Sequence, residues 1–434
     1  MADTDTLALL GGRPVISGPM PHPPLLDERD VEAASDVIRG GVLSGYIGAP
    51  GEAFMGGARV RSFEAEWAQR FGVRHAIAVN SWTSGLVCAV GAIGLEPGDE
   101  VITTPWTMAA TATAVLHWAG IPVFADIDRA TFNIDPACVE RLITPRTRAV
   151  IAVDIFGQSA DMKSLREVCD RHGLWLLGDT AQAPGAFHHG SHAGTLADIG
   201  GYRLNYHKHI HCGEGGVIVT NDDRLARRAA LIRNHAEAVI DSERPEDLAN
   251  LLGFNFRLGE IEAAIASVQL QHLDGRVAQR QRAAAQLDAA LGSLPGLTPP
   301  AVLPGNTHGY YIYGLQLDPV RLGVERAAIV EALRAEGVPG LVGSYQNLHL
   351  LPMFRQRIAY GTGGFPWRSA AGESAVRYGP GLCPVAEELH SQTFLGLALG
   401  QFSHAPADIE RIVTAFRKVW AHLPALRAAM PLAA

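Results

Sequence analysis

Between residues 59 and 220 the apolar positions switch repeatedly between two periods. Stretches with helical spacing alternate with short, nearly continuous apolar runs. On this pattern helices are expected over 60–71, 80–93, 107–118, 136–142 and 162–172, and strands over 75–79, 100–103, 122–126, 149–155, 174–177 and 217–220. Strand–helix alternation of this kind predicts an α/β fold, a mixed, mostly parallel sheet flanked by helices. Such sheets bind ligands at the carboxyl ends of their strands, where Thr83, Ser84, Asp179 and Lys208 are expected to fall.

Outside that block the pattern loosens. Residues 1–29 carry Gly11-Gly12-Arg13-Pro14 and further prolines, which suits an extended arm that wraps over a partner subunit. A helix is expected over 25–38, ending at Gly40-Gly41. The glycine-rich loop 40–58 has a length that is usually functional or disordered, and Tyr46 and Phe54 point to contact with a ligand or neighbour. Helical spacing returns over 222–236 and 258–292, and Pro295 and Pro299-Pro300 then interrupt it. Beyond them lie an expected strand over 311–317 and helices over 325–336 and 406–422. The expected organisation is an arm over 1–29, a large domain over 30–294 and a smaller α+β domain over 295–434.

A chain of 434 residues exceeds what one core usually holds, which agrees with two domains. With 36 Lys+Arg against 44 Asp+Glu the net charge is −8, leaving no broad basic surface for nucleic acid or an anionic membrane. Small molecules and another protein chain are the expected partners. The five cysteines are scattered without metal-ligand spacing and read as reduced thiols. No apolar run reaches the length of a membrane span, and acids stand where a signal peptide carries bases, so a cytoplasmic location is expected.

One lysine stands out in the run Asn205-Tyr206-His207-Lys208-His209-Ile210-His211, just ahead of Gly213-Glu214-Gly215-Gly216. A buried lysine loses its charge because desolvation disfavours the ammonium, and a neutral amine condenses with an aldehyde to a Schiff base. A solvated loop lysine is the plain alternative. Trp82-Thr83-Ser84 at a helix start offers an anion site, or simply a helix cap. Asp179 follows an apolar strand and needs a partner, either a protonated pyridine nitrogen or a structural hydrogen bond. His207, His209 and His211 would share one face if they lay on a strand; packing or substrate contact ranks above a zinc site for them.

Taken together these stretches resemble the sugar aminotransferases of the DegT/DnrJ/EryC1/StrS family, whose fold is type I of the pyridoxal-phosphate enzymes. The motifs that carry the likeness include Asn80-Ser81-Trp82-Thr83-Ser84, Asp179-Thr180-Ala181-Gln182, Lys208 with the glycine turn, and Gly253-Phe254-Asn255-Phe256-Arg257, with others at 98–102, 110–115, 122–127 and 131–135. The resemblance implies that Lys208 forms the Schiff base with pyridoxal 5'-phosphate and shuttles protons, that Asp179 pairs with the pyridine nitrogen, and that Gln182 lies near the ring hydroxyl. It implies that Thr83 and Ser84 hold the phosphate, that Asn255 reaches the phosphate and Arg257 the substrate of a neighbouring subunit, and that the active unit is a homodimer with shared sites. His207 and Tyr345 join Arg257 as substrate contacts.

Three positions depart from the family pattern. Arg203 stands where a phosphate-binding serine is usual, and a guanidinium can grip a phosphate in its place. Met108 stands where an aromatic usually stacks on the ring, and Trp82 replaces a glycine, leaving Trp82 or Trp106 to supply stacking. The implied reaction moves an amino group from glutamate or glutamine to a keto sugar, nucleotide-linked keto sugar or keto cyclitol, in aminosugar, antibiotic or polysaccharide biosynthesis. Gly11-Gly12-Arg13-Pro14 and the motif at 383–387 look more like the cyclitol and antibiotic branch. A sugar dehydratase of the same fold commonly has histidine in place of the lysine, which Lys208 argues against. A pyridoxal-phosphate-binding regulatory protein is the non-enzymatic alternative.

Overall fold

The short apolar runs pair into a seven-stranded sheet in the computed structural model, which describes residues 6–21, 25–244, 247–370 and 372–430, the side chain of Glu243 apart. Its strands are β1 (His75–Val79), β2 (Glu100–Thr103), β3 (Ile121–Phe124), β4 (Thr147–Val153), β5 (Trp175–Asp179), β8 (Ile199–Arg203) and β9 (Gly216–Thr220); β6 (Phe187–His188) and β7 (Ser191–His192) form a separate hairpin. The order is β1-β9-β8-β5-β4-β2-β3. β9 runs antiparallel to both neighbours and the remaining pairs are parallel, so the sheet is mixed and mostly parallel. Pro122 cannot donate to a ladder, and it sits in β3 at the sheet edge, where that costs least.

Helices α1 (Glu28–Gly40), α2 (Ala58–Phe71), α3 (Trp82–Ala92), α4 (Ala110–His117), α5 (Pro136–Arg141), α6 (Met162–His172) and α7 (Asp223–Arg233) connect and flank these strands. Acids fix the first and last of these starts: Asp27 and Asp30 form a capping box on α1, and Asp222 accepts from Leu225 N–H at 2.9 Å to cap α7. Two helix expectations need correction. The helix expected over 107–118 starts only at Ala110, leaving Thr107 and Met108 in the preceding loop, and the stretch 258–292 divides at His272 into Glu260–Gln271 and Leu273–Leu291.

β8 was absent from the expected strands, and its composition explains why. It reads Ile199-Gly200-Gly201-Tyr202-Arg203, with no apolar run, because its glycines lie against other backbone. A Cβ on Gly201 would stand 2.2 Å from the Val217 carbonyl oxygen, and one on Gly200 would stand 2.8 Å from that of Gly194. Close packing removes the side chains that would announce the strand.

A second, antiparallel sheet takes the order Leu297–Thr298, Tyr313–Leu317, Phe394–Leu397, Leu341–Val342. Its core also draws in Ala283, Ala284, Leu287 and Leu291 from the long helix and Leu7 and Ile16 from the N-terminal segment. That segment, expected to wrap over a partner, is fastened to its own chain at Ala8 and Val15. The fully buried Glu336 accepts from the N–H groups of Ala8 and Val15 at 2.8 and 3.0 Å and from Lys418 Nζ at 3.0 Å. Among the described residues no helix is long and apolar enough to cross a membrane.

Tyr46 and Phe54, expected as contacts to a ligand or neighbour, turn inward. Their rings lie over the guanidiniums of Arg233 and Arg227, each at 5.0 Å, and the exposed apolar side chains of the loop are Val42, Leu43 and Ile47. Arg233 is fully buried, donating to Glu64 Oε1 at 2.6 Å and to the Ala78 carbonyl at 3.1 Å. Because removal of one partner strands a buried charge, Arg233→Met is expected to lower the unfolding free energy by about 3–5 kcal/mol in denaturant titrations. Breaking the exposed pair of Arg74 and Asp223 is expected to leave it unchanged.

Candidate active site

The carboxyl ends of β1, β4, β5 and β8 meet along one edge of the main sheet, the crevice where open α/β sheets bind ligands. A cavity of about 260 Å³ opens there. It gathers most of the residues singled out above: Trp82, Thr83, Met108, Asp179 and Gln182 line it, together with Arg203, His207, Lys208 and Tyr345.

Lys208 reaches it from the turn after β8, where its N–H donates to the Asn205 carbonyl at 2.9 Å. The side chain is buried, and Nζ lies 4.0 Å from the centroid of the Tyr311 ring. Burial pushes the amine down to about 7; the cations Arg203 and Arg280 push the same way, and Asp179 opposes them. The segment is not a strand, so the three histidines diverge rather than share a face. His207 lines the cavity, its imidazole pushed down to about 4 by burial and then by Lys208 and Arg203. His209 Nε2 bonds the Gly309 carbonyl at 2.7 Å, and His211 Nδ1 lies 3.4 Å from the Gly213 N–H. Among the described residues no group of three His, Cys, Asp or Glu side chains has metal-binding geometry.

Asp179 ends β5. Trp82 Nε1 donates to its Oδ1 at 2.7 Å, Thr111 Oγ1 donates to its Oδ2 at 2.8 Å, and Ala181 N–H reaches Oδ1 at 3.3 Å. Burial pushes the carboxyl up, while these donors and Lys208 pull it back toward the ionised form.

The expected phosphate pair separates. Thr83 lines the cavity at the start of α3, whereas Ser84 donates its hydroxyl to Asn80 Oδ1 at 2.7 Å and its N–H to the helix cap Ser81 at 3.1 Å. Gln182 accepts from Phe156 N–H and donates to the Tyr345 hydroxyl, both at 3.0 Å. Arg203 Nη2 lies 3.7 Å from Glu214 Oε2, and its buried Nε has no hydrogen-bond partner. Met108 is half exposed, its sulfur accepting from Ala110 N–H at 3.0 Å at the start of α4. Trp106 supplies no wall of the cavity: it packs edge-on against Phe394 at 5.5 Å. Asn255 is exposed, and Arg257 donates to Asn234 Oδ1 at 2.9 Å, both outside this cavity.

Thr111 and Tyr311 escaped the sequence-based reading. Thr111 sits in the repetitive Ala110-Thr111-Ala112-Thr113, where nothing marks one hydroxyl over the other. Tyr311 was expected inside a strand that begins only at Tyr313, so it belongs to the loop facing Lys208.

Comparison with known proteins finds aminotransferases that match nearly the whole chain. An L-glutamine:2-deoxy-scyllo-inosose aminotransferase of Streptoalloteichus tenebrarius is 35% identical over 445 residues, covering 97% of this chain and 99% of the relative. A putative L-glutamine:3-amino-2,3-dideoxy-scyllo-inosose aminotransferase of the same organism is 33% identical, covering 98% and 100%. The crystal structure of DesI in the presence of its TDP-sugar product superposes with a TM-score of 0.79 at 28% identity, covering 98% of this chain and 99% of that one. The architecture is fold type I of the pyridoxal-phosphate-dependent transferases. A family model matches residues 49–378, and the chain belongs to the DegT/DnrJ/EryC1/StrS aminotransferase family.

Proposed function

We propose that this protein uses pyridoxal phosphate to move an amino group from glutamine or glutamate to the keto group of a cyclitol or sugar. The observation that carries the proposal is a buried lysine amine, lowered to about 7, sharing one cavity with a hydrogen-bonded buried carboxyl group and a helix N-terminus. The donor set fits the cofactor. Asp179 Oδ2 takes one hydrogen bond and keeps a lone pair for a pyridinium nitrogen. Thr83 at the start of α3 and the unpartnered Nε of Arg203 suit a phosphate. When bound, pyridoxal phosphate supplies an aldehyde for the amine and a ring that takes up the electron pair left by a departing proton.

Lys208 Nζ would attach the cofactor and, once displaced by substrate, carry that proton, a task that needs an amine poised near neutrality. Gln182, tied to Tyr345, would border the ring hydroxyl, and His207 and Tyr345 would face substrate. The two scyllo-inosose relatives match nearly the whole chain, which favours a keto cyclitol as acceptor. A homodimer with shared sites belongs to the same proposal. Asn255 and Arg257 are turned away from their own cavity, and Val31, Ile38, Val42, Leu43 and Ile47 leave exposed apolar side chains along one stretch of chain. Residues 30–294 would then form the cofactor domain and 295–434 the smaller one.

The primary test offers a panel of keto cyclitols and nucleotide-linked keto sugars, with glutamine or glutamate, to the cofactor-loaded protein and weighs the amine products by mass spectrometry. Transfer to a keto cyclitol is expected, and Lys208→Ala is expected to lose it by at least roughly 10²–10⁴-fold; transfer that survives the substitution would refute the assignment. Capture of pyridoxal phosphate by the apoprotein needs the neutral amine, so its rate is expected to rise with pH through about 7 and then level off. In Arg203→Ser that midpoint is expected at higher pH, because removing a cation makes the ammonium easier to hold. Mixing Lys208→Ala with Arg257→Ala protein is expected to restore roughly a quarter of wild-type activity, since half the randomly formed dimers then hold one intact shared site of two. No recovery on mixing would place Arg257 at its own chain's site.

A further inference from the structure

Trp82 is set into the molecule in a way that cofactor contact alone does not require. Its indole is buried against α3 and the strands β8 and β9, with Nε1 on Asp179 Oδ1 at 2.7 Å, while Thr111 holds Oδ2 at 2.8 Å from α4. The ring needs cleared ground. A Cβ on Gly201 would stand 2.1 Å from Trp82 Cζ3, and one on Gly85 would stand 2.5 Å from Cε3 and 2.6 Å from Cζ3. Gly201 has a second reason to be glycine in the Val217 carbonyl, but at Gly85 the next neighbour, Ile218, is at an ordinary 3.4 Å. Glycine inside a helix weakens it, and here the space it leaves is filled by the indole.

We propose that Trp82 is a positioning residue: its indole N–H keeps the Asp179 carboxylate ionised and fixed in orientation toward the ring nitrogen of the bound cofactor. The role rests on the aminotransferase proposal for its cofactor half. An indole N–H is a donor only, so it bonds the carboxylate more strongly than the neutral acid and cannot accept the acid's proton, unlike a hydroxyl, a water or an imidazole. With Thr111 on the other oxygen, the two donors also restrain rotation of the carboxylate. Burial pushes Asp179 toward its neutral form, and the donors counter that push. The other titratable groups within electrostatic reach are Lys208 after β8, Asp154 after β4 and Tyr345 from the chain beyond the main sheet; none of them is substituted in the variants below.

The test compares apoprotein thermal stability against pH for wild type, Trp82→Phe and Trp82→Phe/Gly85→Ala. The folded-state pKa of Asp179 lies above its unfolded value, so its ionisation costs native stability as pH rises, and loss of the indole donor enlarges that cost. The deficit of Trp82→Phe is expected to widen from about pH 4 to about pH 8. In the double variant the new methyl fills space left by the indole, so the pH-independent part of the deficit is expected to shrink while the pH-dependent part persists. Both variants are expected to bind pyridoxal phosphate roughly 10- to 100-fold more weakly, the equivalent of one hydrogen bond to a charged group. A deficit that is flat with pH and erased by Gly85→Ala would overturn the proposal and leave the indole as packing. If even the wild type fails to bind pyridoxal phosphate while the pH-dependent deficit stands, the hold on Asp179 is upheld and the cofactor half falls with the aminotransferase proposal.

Discussion

The site depends on an unequal treatment of two buried charges. Burial drives Lys208 and Asp179 in the same sense, each toward its neutral form. The surroundings then separate them. Three donors, from Trp82, Thr111 and the Ala181 backbone, pull the carboxyl back toward its ionised form, although burial still leaves it above the ordinary carboxylate range. The lysine meets two arginines that oppose its charge, and Asp179 and the face of the Tyr311 ring favour it without offsetting burial. One cavity therefore holds a carboxyl group fixed by hydrogen bonds beside an amine lowered to about 7.

The sheet supplies this pair at little conformational cost. Asp179 is the last residue of β5, Lys208 follows β8, and α3 springs from the end of the next parallel strand, so short connections bring all three to one edge. The second core is tied to the same frame through the long helix Leu273–Leu291, whose Arg280 is fully buried, lowers the Lys208 amine and has an unpartnered Nη1. Tyr311 arrives from the chain just ahead of the second sheet, so the setting of the lysine depends on how the two sheets are joined.

Departures from the family pattern behave as linked changes. Trp82 reaches Asp179 across ground left open by Gly85 and Gly201, and Gly201 lies in the same short strand as Arg203. Met108 turns its sulfur to the start of α4, the helix that carries Thr111. Arg203 adds a cation to the cavity of the amine and lowers the lysine.

Strongly periodic stretches were legible without coordinates: the strand His75–Val79, the strand Glu100–Thr103 and the helix Met162–His172 fall where the hydrophobic pattern puts them. The alternation of strand and helix determined the sheet class, and the ordered motifs around Asp179 and Lys208 determined the family, because both are properties of local sequence. What lay outside local sequence was not legible. β8 hides behind glycines demanded by neighbouring backbone, the N-terminal segment is held by a glutamate more than three hundred residues away, and Tyr46 and Phe54 are claimed by Arg233 and Arg227 of α7. Whether Lys208 is buried, which oxygen of Asp179 meets which donor, and where Ser84 points depend on contacts between residues far apart in the chain. The residue types and the fold class came from the sequence; their protonation and orientation were decided by tertiary packing, because desolvation and hydrogen bonding act only between groups the fold has brought together.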